Sequence, residues 1–120
     1  MPLTYVAAWA KAFALTVAIE LPIATWLLAR AEPDLRRRLG LVFFANLASH
    51  PAVWFVFPAL FPSYPAMIVA AESWALLSEA VFFALAFPAA PWRRALGASA
   101  VANAASFSAG LILRALTGWV

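Results

Sequence analysis

The chain has 120 residues, 67% hydrophobic and 11% charged, with a mean hydropathy of +0.92. Eight basic and five acidic side chains are too few to coat a soluble globule, which excludes a soluble enzyme, a nucleic-acid binder and a disordered tail. Zero cysteines exclude disulfides, thiolate zinc sites and thiol redox chemistry, and the net charge of +3 matters less than where the arginines sit.

Crossing a hydrocarbon core of about 30 Å takes about 20 helical residues at 1.5 Å each. The charges divide the chain into four runs of that size. The first span is expected over roughly residues 5–29, its apolar centre broken by Glu20, with Thr16 and Thr25 as mild polar members. It has no basic leader and carries Glu20 and Pro22 inside, so it reads as a membrane helix and not as a cleaved signal. Arg30-Ala-Glu32-Pro33-Asp34-Leu-Arg36-Arg37-Arg38 follows as the one strongly polar segment. The second span, roughly 39–60, holds no formal charge when His50 is neutral. The prolines at 58, 62 and 65 predict a turn there, because a helix interior does not tolerate them. A third span over roughly 66–88 contains Glu72 and Glu79. Pro88 to Arg94 forms the last turn, and a fourth span covers roughly 93–117. The expected fold is an all-α integral membrane protein, one membrane domain over 1–120 with four transmembrane helices. The lipid bilayer is its surrounding partner.

Four arginines lie in the 30–38 loop, two at 93–94, and none in the turn between the second and third spans. The positive-inside rule therefore places the arginine loops in the cytoplasm and both termini outside. Lys11 and Arg114 run against this assignment but are outnumbered. Tyr5, Trp9, Tyr64, Trp92 and Trp119 fall near span ends, where amphipathic rings settle at headgroups.

A motif recurs. Leu39-Gly40, five residues, Asn46-x-x-Ser49 follows one arginine pair, and Leu96-Gly97, five residues, Asn103-x-x-Ser106 follows the other. Glu20 precedes the first copy and Glu79 the second at nearly equal distance. The pattern predicts two parallel-oriented helical-hairpin repeats, 1–60 and 66–120, related by a pseudo-two-fold axis along the membrane normal.

Counting from the arginine ends at 1.5 Å per residue puts Glu20, Glu79, Asn46, Ser49, His50 and Asn103 at about 10–17 Å depth, in one layer. Asn46, Ser49 and His50 share one side of the second span; Ser99, Asn103, Ser106, Gly110 and Arg114 form one stripe of the fourth. A carboxylate facing lipid is expensive, so these groups are expected to point inward. Glu72 and Arg114 lie at a similar depth and are expected to form a structural ion pair. Lys11 sits about 180° around the helix from Glu20 and is expected to snorkel outward.

The candidate translocation site is thus Glu20, Glu79, Asn46, Asn103, Ser49, Ser106 and His50. The bland reading is interhelical glue for the amides and hydroxyls. For His50 it is a ring that satisfies the carbonyl freed by Pro51. Two glutamates without a cation at their depth need a further reason, and could bind a cation or an organic amine, or relay protons. No metal site is assigned, since Glu20, Glu79 and His50 lack a ligand-spacing motif. No catalytic residue is assigned either, because adjacent Ser49 and His50 cannot face each other as a triad requires. No cofactor is expected. Two small-residue ladders, Ala102/Ser106/Gly110 and Ala100/Ala104/Ser108, predict contacts on both sides of the last helix. The sequence leads to transport of protons, a cation or a small cationic solute by a homo-oligomer. The competing reading is an accessory or assembly subunit of a larger membrane complex.

Overall fold

The computed structural model describes residues 2–118, so Trp119 lies outside the described residues. The helices are α1 (Leu3–Leu27), α2 (Leu35–Phe55), α3 (Phe57–Leu60), α4 (Tyr64–Ala86) and α5 (Trp92–Thr117). Four stretches are long and apolar enough to cross a membrane: α1, α2 continued by α3, α4, and α5. The bundle measures 40 × 25 × 25 Å.

Local chemistry sets the helix ends. Asp34 caps α2, its carboxylate accepting from the backbone N–H of Arg36 at 3.0 Å and of Arg37 at 3.4 Å. Glu32 holds this turn from the other side, accepting from Asp34 N at 3.1 Å and pairing with Arg37 at 3.6 Å. Pro65 stands in the first turn of α4, where its missing N–H is not needed. Gly118 adopts a left-handed φ of 69° and returns its N–H to Arg114 O at 2.9 Å, closing α5.

The turn expected from residue 58 begins later. Pro58 sits in the first turn of α3, and helical structure runs to Leu60 after a break at Val56. Pro58 has no N–H to offer Trp54 O, and the Tyr5 hydroxyl donates to that carbonyl at 2.6 Å instead. A contact from α1 therefore replaces the bond that the proline removes.

Packing order around the bundle is α1, α2, α4, α5, each helix touching its two neighbours. The diagonal pairs α1/α4 and α2/α5 have no Cα atoms within 8 Å. Arg38 of α2 donates to Thr25 O at 2.6 Å, and Arg94 of α5 donates to Leu27 O at 3.3 Å. Both guanidinia thus cap the negative C-terminal end of α1, and both arginine turns lie at one end of the bundle. Below the centre, toward that end, Ala24, Leu28, Val42, Phe83, Phe87 and Ala95 pack into a continuous apolar core.

Candidate functional site

Above this core, polar side chains from all four long helices meet. Glu20 is 1% exposed, Asn46 1%, Glu79 2%, Ser49 3% and Asn103 7%, so none of these five faces the outside. Their burial follows from helical spacing. Glu20 and Ala24 form the inner stripe of α1 with Leu28 just past its end, and Glu79 and Phe83 that of α4 with Phe87 just past its end. Val42, Ala45, Asn46 and Ser49 are the inner side of α2, and Ser99, Ala102 and Asn103 that of α5, with Ser106 half-buried above.

The glutamates sit on diagonally opposed helices whose backbones do not approach, and both carboxyl groups are buried at the inner end of one cavity. Each is held by the opposite hairpin's serine. Ser106 of α5 donates to Glu20 Oε1 at 2.5 Å, and Ser49 of α2 donates to Glu79 Oε2 at 3.2 Å. Asn103 adds a second bond to Glu79 Oε2 at 3.3 Å. Both asparagines also return their amide N–H to their own helix four residues back, Asn46 to Val42 O at 3.0 Å and Asn103 to Ser99 O at 2.9 Å. Among the described residues of this layer, three buried acceptors are left without a partner: Glu20 Oε2, Glu79 Oε1 and Asn46 Oδ1.

A cavity of about 190 Å³ starts at this layer and extends away from the arginine turns. Glu20, Glu79, Asn46 and Asn103 line its inner end; Leu15, Val53, Phe107 and Leu111 form apolar wall; Glu72 and Arg114 lie farther out. On the other side the apolar core closes the bundle.

Two expectations need correction. Glu72 and Arg114 border the same cavity but form no ion pair: among the described residues the one pair within 4.0 Å is Arg37–Glu32. Arg114 is exposed and instead donates to the Tyr64 hydroxyl at 3.4 Å. Equal depth on neighbouring helices did not fix the direction of a long, flexible side chain. His50, in turn, does not bend back to its own helix. Its Nδ1 accepts from Trp9 Nε1 at 3.1 Å and its Nε2 lies 3.4 Å from Thr16 Oγ1, so α1 occupies both ring nitrogens. His50 therefore borders the cavity as part of the α1–α2 seam, and no three acidic or imidazole side chains among the described residues gather as a metal-ligand set.

Sequence reasoning did not single out Trp9 as a hydrogen-bond partner, or the bond from Trp74 Nε1 to Ser49 O at 3.1 Å. Thr16 was legible in principle, since it stands four residues before Glu20 on the same helical face. Of the two small ladders, Ala102 faces inward with Ser106 and Gly110 half-buried, whereas Ala104 and Ser108 are exposed. Lys11 is exposed, on the side of α1 away from Glu20. No family model, no curated protein and no solved structure matches this chain.

Proposed function

We propose that the chain is a multi-pass membrane protein that moves protons, a cation or a small cationic solute through the layer containing Glu20 and Glu79. One observation carries the reading: two buried carboxyls line the inner end of one cavity, with no lysine or arginine bonded to either. Two acidic groups at one end of a low-dielectric cavity repel unless a proton or another cation joins them. Interhelical glue needs only neutral hydroxyls and amides, which this layer also has. Carboxyls at such a position serve exchange of a positive species.

The architecture in this reading is a duplicated hairpin, 1–60 and 66–120. Support comes from the reciprocal serine bonds, from the matched asparagine bonds within α2 and α5, and from a packing order that is unchanged when the hairpins exchange places. The arginine turns face the cytoplasm and the termini face outward, by the positive-inside rule. The cavity then opens on the outer side. Four helices enclose little volume, so the working unit is a homo-oligomer or part of a larger membrane complex.

Purified protein in proteoliposomes is expected to pass protons or a cationic solute down an imposed gradient. Glu20→Gln and Glu79→Gln, which keep size and hydrogen-bonding capacity but not charge, should each abolish this flux. Unchanged flux in either variant removes that residue from the pathway. No flux from the pure protein, together with its co-purification in a larger complex, establishes the accessory-subunit reading instead.

A further inference from the structure

The inner end of the cavity is short of donors. Ser49, Asn103 and Ser106 donate to one oxygen of each carboxyl, and Glu20 Oε2, Glu79 Oε1 and Asn46 Oδ1 remain buried without a partner. An unpaired buried acceptor is unfavourable, more so when it carries charge. A single proton between the two carboxyls accounts for two of these atoms and leaves the Asn46 oxygen alone. A group with three N–H donors and one positive charge accounts for all three.

We infer that this end of the cavity is a binding site for a primary ammonium group, R–NH3+, whose three N–H donors go to Glu20, Glu79 and Asn46. The inference rests on the reading of the layer as a cation site and adds to it a substrate class. The tail of the ligand would lie along Leu15, Val53, Phe107 and Leu111, which offer apolar contact and no further donor or acceptor from their side chains. About 190 Å³ is enough for one ring or a chain of similar size, since an apolar protein cavity of about 150 Å³ holds benzene.

This chemistry separates two kinds of organic cation. A quaternary ammonium of the same size has the charge and the tail but no N–H, so it leaves all three acceptors unpaired. Sites built around a ligand's N–H groups reject analogues that lack them far more strongly than apolar pockets reject a change in size. Asn46 is the discriminating residue. Its oxygen contributes nothing to the carboxyl pair, and its amide is bonded only within α2.

The test is isothermal titration of the purified full chain in mild detergent with benzylamine, which is protonated at neutral pH, and with benzyltrimethylammonium. Benzylamine is expected to bind at least tenfold more tightly than the quaternary ion. Asn46→Leu, similar in size, should weaken benzylamine at least tenfold and leave the quaternary ion unaffected. Equal affinities in the wild-type protein, or no benzylamine binding, overturn the inference, and this comparison does not depend on any variant folding. An unchanged benzylamine affinity in Asn46→Leu, with an unaltered unfolding transition, also overturns it. Proton flux in proteoliposomes without benzylamine binding sinks the ammonium site alone. Selective benzylamine binding without any flux sinks the transport reading and leaves the site standing.

Discussion

Each hairpin carries one buried glutamate and one Asn-x-x-Ser, but the two sets are bonded differently. In the second, Glu79 accepts from both Ser49 and Asn103; in the first, Glu20 accepts from Ser106 only, and Asn46 keeps an oxygen without a partner. The inner stripes differ too. Ala24 and Leu28 below Glu20 stand where Phe83 and Phe87 lie below Glu79. The second hairpin supplies the two buried aromatic rings of the apolar core and the better-bonded carboxyl. The first supplies two of the three unsatisfied acceptors of the layer, Glu20 Oε2 and Asn46 Oδ1.

The contrast should show most strongly in packing. Phe83→Ala removes a fully buried ring from the core and is expected to cost about 3 kcal/mol or more in unfolding measured in mixed micelles. Ala24→Gly, its counterpart, should cost only about 1 kcal/mol, chiefly helix propensity. Equal losses would mean that the aromatic stripe does not dominate the core.

The asparagines offer a finer comparison. Asn103→Leu takes a donor from the buried Glu79 carboxyl and should destabilise by roughly 1–3 kcal/mol. Asn46→Leu gives up one bond within its own helix and removes an unpaired buried oxygen, so it should be neutral or slightly stabilising in the same assay. A larger loss at Asn46 than at Asn103 would show that the difference between the hairpins is not what the hydrogen bonds indicate.

The smallest effect concerns the caps on α1. Arg38→Ala removes a bond of 2.6 Å from a half-buried side chain, whereas Arg94→Ala removes one of 3.3 Å from an exposed side chain. Arg38→Ala should lower stability by about 1 kcal/mol, and Arg94→Ala by less. Protection of the backbone amides around residues 24–28 against hydrogen exchange is the sensitive readout. Equal protection in both variants would remove the cap asymmetry.

Several features were legible from residue order. The spacing of Glu20, Asn46, Glu79 and Asn103 from their arginine clusters predicted that they share a layer, because helical rise converts sequence distance directly into depth. The i, i+3 and i, i+4 spacings predicted which sides of α2 and α5 face inward. Charge placement marked the four apolar runs, because charged side chains are excluded from long apolar helices almost regardless of packing.

Partner choice was not legible. Depth alone pairs Glu72 with Arg114, but Arg114 goes to Tyr64; the carbonyl freed by Pro51 is the expected partner of His50, but Trp9 and Thr16 hold both its ring nitrogens. These outcomes depend on which helices are neighbours and on side-chain reach, and neither is encoded by spacing along one helix. The same holds for the arrangement of Glu20 and Glu79. Periodicity and charge determined that two carboxyls point inward at one level, since those are one-dimensional properties of the chain. That they stand on opposed helices at one cavity, each held by the other hairpin's serine and with three buried acceptors left unpartnered, was decided by the packing order α1, α2, α4, α5, which only the folded bundle sets.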